Sequence, residues 1–203
     1  MGALVEIDIG DRRLLAAVGD SMAEAARRSG AWLACRPGCA DCCLGPFPIT
    51  QLDAHRLREG LQALAAVDPA RAAAVRARAE SYILSAAPEY PDDPATGALG
   101  DEDTLPPGLD NLPCPALDPA TGCCDLYAAR PITCRTFGPA TRTGDETVGA
   151  CHLCYAGATE QQIMECAVEI DPSGLETALV DALAAEGASG MTIVAYALAA
   201  PER

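Results

Sequence analysis

The sequence predicts an α+β protein, mainly α-helical, in which a small N-terminal β-hairpin and several helices surround an irregular cysteine-rich segment. Three observations carry this reading. Leucines recur at helical spacing behind capping residues at 50–66 and 173–187. Val5, Ile7 and Ile9 alternate with Glu6 and Asp8, the two-residue period of a strand. Residues 114–155 are dense in Cys, Pro and Gly and show no apolar period. The 203 residues are read as one domain, 1–203: a hairpin and helix at 1–34, a cysteine-cluster core at 35–155 and a C-terminal helical segment at 156–203.

Residues 4–18 read as the hairpin, with two apolar runs separated by Gly10-Asp11-Arg12-Arg13. The stretch 20–34 reads as a helix that delivers the chain to Cys35, with Gly30 as an interruption. Thr50 and Asp53 resemble a capping box ahead of Leu57, Leu61 and Leu64, which places a helix at 50–66. Asp68 and Pro69 suit an N-cap and a first helical position. The helix behind them runs through Val75, Ala79 and Tyr82, with Arg71, Arg76 and Arg78 mostly toward solvent. The short break predicts an antiparallel pair. Residues 87–113 are rich in Pro, Gly and acid, contain no basic residue, and read as a solvated loop ordered in places. Segment 114–155 offers too little periodic apolar surface to order itself, so a bound group is expected to organise it. Ser173 and Glu176 resemble another capping box, with Leu175, Leu179 and Leu183 behind it up to Gly187. The stretch 190–200, GMTIVAYALAA, fits a strand or a helix. No internal repeat is evident.

The net charge is −15, and all 14 basic residues are arginine. Such a chain is repelled by phosphate backbones, so nucleic acid is not an expected partner. Without lysine there is neither Schiff-base chemistry nor a P-loop. The first residues lack the basic start and apolar run of a signal peptide, and the apolar stretch at 191–200 is too short to span a bilayer. A cytoplasmic protein with no membrane partner is expected. Aromatics make up only 4%, so the core is expected to lean on another source of order, and the 11 cysteines are the candidate. In a reducing cytosol, clustered thiols serve metals or redox chemistry more often than disulfides, and an odd count argues against full pairing.

The densest cluster is CRPGCADCC, with Cys35, Cys39, Cys42 and Cys43. Cys114, Cys123, Cys124, Cys134, Cys151, Cys154 and Cys166 follow. Thiolates from a local segment converge on one ion when the backbone bends around it, and Pro37 and Gly38 suit such a bend. Side chains of adjacent residues such as Cys42 and Cys43 diverge in most conformations. The pair therefore suits two metals, two irons of one cluster, or one metal and one redox thiol. Four ligands saturate a zinc site or a cubane cluster, and eight would serve two such sites or one polynuclear centre. Arg36, Arg130 and Arg135 lie near cysteines in the chain and can soften thiolate charge.

This arrangement, CRPGCADCC followed by CPALDPATGCCDLYAARPITCRTFG, resembles the YkgJ-type cysteine-cluster family, described as zinc- or iron-chelating. The resemblance covers residues 33–155. It runs through Cys35, Cys39, Cys42 and Cys43, then Cys114-Pro115 and Leu117. Cys124, Tyr127, Arg130, Pro131, Cys134, Arg135, Phe137 and Cys151 follow in order. It implies metal ligation by Cys35, Cys39, Cys42, Cys43, Cys114, Cys124, Cys134 and Cys151. Cys154 and Cys123 lie outside the pattern and stand as alternative ligands. Tyr127 and Phe137 are expected to pack around the site and exclude water, and Pro131 to fix the turn that returns Cys134 toward Cys124. Cys166, in IMECAVEI, reads as a buried structural thiol. His152 reads as exposed or supporting, and His55 as structural.

The C-x3-C-x2-C-C spacing departs from the paired C-x2-C knuckles of structural zinc, so an iron–sulfur cluster is the favoured cofactor and zinc the alternative. The expected function is metal binding with a redox or metal-sensing role. The metal ion is the expected partner, and no protein partner is legible. Flagellin lysine methylases are similar in the cysteine-cluster pattern, which implies methyl transfer from S-adenosylmethionine as an enzymatic alternative. The Gly-rich strand–turn–helix that would hold that cofactor is missing from the sequence, and no catalytic residue is identified.

Overall fold

In the computed structural model the N-terminal segment is one long helix, α1 (Gly2–Ser29), and not the expected hairpin. The alternation of Val5, Ile7 and Ile9 misleads because Ile7 alone of the three is buried. The apolar stripe that decides the structure is Ile7, Leu14, Val18 and Ala25, whose spacing returns to one helix face. The helix ends at Gly30, whose φ of +51° turns the chain out of the helix. Arg27 and Arg28 lie in its last turn, where the helix dipole favours positive charge.

The structure describes residues 2–100, 105–142 and 149–200. After α1 come β1 (Ile49–Thr50), α2 (Gln51–Val67), α3 (Pro69–Ala86), α4 (Ile132–Thr136), β2 (Thr141–Arg142) and α5 (Glu160–Cys166). Then follow β3 (Val168–Glu169), α6 (Leu175–Ala185), β4 (Met191–Thr192) and α7 (Val194–Ala199). The fold is mainly helical, as expected, and its strands are short pairings. The chain divides into two compact units, Met1–Arg36 with Ile132–Glu186, and Pro37–Pro131 with Gly187–Arg203.

In the first unit α1 packs against α4, α5 and α6. Its backbone comes so near α6 that a Cβ at Gly10 would lie 2.5 Å from Leu179 Cδ2. β2 and β3 pair in parallel, Thr141 with Val168 and Arg142 with Glu169. Buried Tyr155 has a left-handed φ of 60°, and its hydroxyl meets Ser29 Oγ at 2.5 Å and accepts the Ala140 N–H at 2.8 Å. Those bonds offset the backbone strain. The expected Ser173–Glu176 capping box does not form. Gly174 takes the N-cap position of α6, while the Asp171 carboxylate accepts the Glu176 N–H and the Ser173 hydroxyl, both at 2.7 Å. A charged carboxylate is the stronger acceptor and displaces the serine.

In the second unit Thr50 caps α2 by accepting the Asp53 N–H at 3.1 Å, and Asp68 caps α3 through the Arg71 N–H at 3.0 Å. Leu57, Leu61, Val75 and Ala79 bury together with Val194 and Leu198, so α7 packs on both α2 and α3. Each large side chain buried there stabilises the unit by about 1.5–3 kcal/mol. The ambiguous stretch at 190–200 is both things in turn. Its first residues form β4, antiparallel to β1 with Ile49 opposite Thr192, and the rest form α7. The acidic loop is ordered where Tyr90, Leu99 and Leu109 bury beside Tyr196. Tyr90 Oη and Thr192 Oγ1 both donate to the Gly97 carbonyl at 2.8 Å, and Tyr196 Oη donates to Pro94 O at 2.7 Å. Segment 114–131 also carries apolar anchors of its own, since Ala116, Leu126 and Ala129 enter this core. A bound group is therefore not its sole source of order.

Two glycines separate crowding from propensity. Gly97 has φ +73°, and a Cβ there would lie 2.0 Å from Tyr196 Cγ. Gly97→Ala is expected to lower stability by about 2–3 kcal/mol in thermal unfolding. Gly19 lies within α1, and beyond its chain neighbours and the backbone of that helix no described atom lies within 4 Å of a Cβ position. Gly19→Ala is expected to raise stability by about 0.5–1 kcal/mol in the same measurement.

Candidate metal centre

All eleven cysteines are thiols. Backbone pairing gathers those of the second unit. Cys114 N–H donates to Cys43 O at 2.7 Å and Gly45 N–H to Leu112 O at 2.8 Å, so residues 43–45 run beside 112–114. The chain then doubles back. Asp125 N–H donates to Ala116 O at 2.7 Å and Asp118 N–H to Cys123 O at 2.8 Å, which sets Cys124 opposite Leu117. The turn before Cys39 lies on the second loop, where a Cβ at Gly122 (φ +69°) would sit 3.2 Å from Gly38 O. Cys42, Cys43, Cys114 and Cys124 are thus carried by one small set of paired segments, with Cys39 at its edge. Among the described residues, no three cysteine sulfurs all lie within 4.8 Å of one another, so closing on an ion requires side-chain rotation.

The doubled-back loop contains a turn that occurs twice. The pentapeptide Asp-Pro-Ala-Thr-Gly stands at 93–97 and at 118–122. In each copy the aspartate carboxylate accepts the N–H two residues on, at 2.9 Å for Ala95 and 3.0 Å for Ala120. It also accepts the threonine hydroxyl, at 2.5 Å for Thr96 and 2.7 Å for Thr121. The glycine N–H closes the turn on the aspartate carbonyl, at 2.7 Å for Gly97 and 2.9 Å for Gly122. Ala98 and Leu99 follow the first copy; Cys123 and Cys124 follow the second. The expectation of no internal repeat overlooked this short motif, which is the local signal for how Cys124 is presented.

Two arginines of α3 hold the same segment, although they were expected to face solvent. Arg71 Nε and Arg78 Nη2 each donate to the Asp125 carboxylate at 2.5 Å, and Arg78 Nε donates to Pro115 O at 2.8 Å. Asp125 follows Cys124 and Pro115 follows Cys114, so α3 grips the chain directly after two cysteines. The Asp125 side chain is 2% exposed. Arg56, buried and paired with Asp53 at 2.6 Å, also donates to Arg130 O at 3.4 Å and pins the turn before Pro131. Tyr127 is exposed rather than packed around a site, because its ring serves as a platform for Arg130, whose Cζ lies 3.7 Å from the ring centre. Phe137 is exposed too.

The thiols of this unit differ in charge preference. The Cys43 side chain hydrogen-bonds Cys42 and brings its thiol down to about 6, aided by the Cys42 N–H and the Arg130 charge and opposed by burial. Burial pushes Cys114 up to about 11, against the N–H groups of Ala116 and Leu117 that point at its sulfur. Burial also raises Cys124, against the Leu126 N–H and Arg130. N–H donors aimed at a sulfur chiefly stabilise a thiolate, whereas desolvation disfavours one until a cation supplies positive charge. The donor set therefore fits a thiophilic metal.

In the first unit, Cys35 Sγ lies 3.5 Å from the position a Cβ would take at Gly138, where φ is +123°. The Cys151 N–H donates to Gly138 O at 3.1 Å, so Cys35 and Cys151 flank one glycine. Cys134 lies on α4, which packs on α1. The Cys154 N–H returns to Cys151 O at 2.9 Å, but its side chain is buried with Ala140, Tyr155 and Cys166. Cys166 is buried, as expected, and its thiol donates to Arg28 O at 3.4 Å. Cys123 lies partly exposed, with its thiol 3.7 Å from Thr121 O. His152 is exposed, and His55 Nε2 lies 3.6 Å from Glu59 on α2.

Asp125→Ala is expected to cost about 1–3 kcal/mol, because it strips the acceptor from both α3 arginines. Arg71→Ala, which removes the more exposed partner, is expected to cost less than about 1 kcal/mol; thermal unfolding checks both. After metal is stripped with a chelator, iodoacetamide is expected to label Cys42 ahead of Cys114, with a midpoint near pH 6 for Cys42. Peptide mass spectrometry across a pH series reads the order; below the midpoint, protonation of Cys42 slows its labelling.

No curated protein and no solved structure matches the chain. Among the described residues, no helix is long and apolar enough to cross a membrane. A family profile described as "CxxCxxCC: Putative zinc- or iron-chelating domain" matches residues 34–155, which include every cysteine except Cys166. The matched residues make up more than half of the sequence and support metal binding, and the chain belongs to this CxxCxxCC family.

Proposed function

We propose that the protein holds an iron–sulfur cluster, or another polynuclear thiolate centre, and uses it in redox or metal sensing. One observation carries the reading: in the family's cysteine segments, partly buried Cys114 and Cys124 receive backbone N–H groups suited to thiolates. The proposed ligands are Cys35, Cys39, Cys42, Cys43, Cys114, Cys124, Cys134 and Cys151, with Cys123 and Cys154 in reserve. A cluster, when bound, supplies one-electron chemistry whose potential depends on hydrogen bonds to its sulfurs. The chain's own contributions are the N–H donors of Ala116, Leu117 and Leu126, the Arg130 charge near Cys42 and Cys124, and the α3 arginines that hold the ligand loops. A reducing cytoplasm would keep these thiols available. Zinc is the second reading, because the family description names zinc beside iron.

Anaerobic purification with elemental analysis and a visible spectrum of one sample tests the choice. Iron with matching sulfide and a broad visible band is expected. Colourless protein with stoichiometric zinc would replace the cluster by zinc. Cys39→Ser and Cys134→Ser are each expected to lose most of the metal, whereas Cys166→Ser is expected to retain it. A fully loaded, folded Cys39→Ser protein would remove Cys39 from the ligand set.

A further inference from the structure

Tyr82 lies on α3 and is 6% exposed. Its hydroxyl oxygen is buried and has no hydrogen-bond partner among the described residues. Native proteins rarely leave a buried hydroxyl unsatisfied, and such an atom often marks a role that some other state fulfils. Tyr82 and Cys114 line the same small cavity, of about 10 Å³, together with Gly45, Phe47 and Ala195. A space of that size holds one water at most. It also leaves room for the sulfur or the phenol to move a short way.

We propose that Tyr82 is a positioning residue for the metal centre, its hydroxyl donating a hydrogen bond to the Cys114 sulfur once that sulfur is a metal-bound thiolate. The inference rests on the reading of Cys114 as a ligand. A neutral thiol is a weak acceptor, so the hydroxyl gains little by turning toward it. A thiolate is a strong acceptor, and metal binding makes one without any change of residue. The phenol is buried, which favours its neutral, donating form. Tyr82 would join the Ala116 and Leu117 N–H groups as a third donor to this sulfur. Donors around a ligand sulfur withdraw charge from it and so tune the metal it holds.

The test uses the full chain loaded with cobalt(II) alone, whose thiolate-to-metal absorption band reports charge on the sulfurs. Tyr82→Phe is expected to leave the bound cobalt stoichiometry unchanged and to shift this band to lower energy. Replacing the tyrosines with 3-fluorotyrosine makes the phenol a better donor. That change is expected to shift the band to higher energy in the wild-type sequence but not in Tyr82→Phe. If Tyr82→Phe does not fold, 3-fluorotyrosine placed at position 82 alone decides the matter: a shift to higher energy is expected, and an unmoved band overturns the role of Tyr82. A Cys114→Ser control separates the two levels of the argument. If Cys114→Ser changes the band but neither tyrosine change does, the role of Tyr82 is overturned and the metal reading stands. If Cys114→Ser leaves both band and stoichiometry intact, Cys114 is not a ligand and the inference falls with that assignment. If the wild-type chain takes up no cobalt, the thiolate metal site itself is refuted.

Discussion

Burial works against a thiolate, and the architecture around Cys114 follows from that opposition. Taking water away pushes its thiol up to about 11, so at neutral pH it keeps its proton unless positive charge arrives. The chain answers with backbone N–H groups from Ala116 and Leu117, supplied by the turn that Pro115 begins. That turn holds its shape because Arg78 donates to the Pro115 carbonyl, and Arg78 is held in turn by Asp125. One ion pair therefore connects helix α3, the Cys114 turn and the residue after Cys124. The scaffold and the chemistry share the same contacts, so neither can be altered alone.

The thiols of this unit are unequal, and the inequality has a physical origin. Cys42 shares its hydrogen bond with its neighbour Cys43 and feels Arg130, which brings it down to about 6. Cys114 and Cys124 are the more desolvated pair. At neutral pH Cys42 is thus the readier anion, and Cys114 and Cys124 hold their protons more firmly. Affinity for a site of this kind rises with pH, since each ligand binds as a thiolate.

Much of the scaffold was legible because it rests on short-range rules. The caps at Thr50 and Asp68 depend on one side chain and one N–H three residues on, and the stripe of α2 depends on a period. The N-terminal segment departs from the expected hairpin because Val5, Ile7 and Ile9 satisfy a strand period locally, while the stripe from Ile7 to Ala25 emerges only over several turns. The serine cap of α6 failed because Asp171 competes from further back. Tyr127 and Phe137 fit a pattern of residues around a site, yet their exposure is decided by what surrounds them. The Asp-Pro-Ala-Thr-Gly turn stands in the sequence as two identical pentapeptides, but it is too short to register as a structural repeat.

By itself, then, the sequence determined the helical character of the chain, the caps of α2 and α3, and a supply of cysteines at spacings that suit thiophilic metal. These properties depend on neighbours within a few residues. Only the tertiary structure decided that Arg71 and Arg78 turn to Asp125, that α7 closes over α2 and α3, and that Tyr82 shares a cavity with Cys114. Each of those joins residues more than thirty positions apart. Such contacts depend on which apolar faces find one another and on where a carboxylate lies once the chain has folded. Local periodicity and propensity carry no information about either.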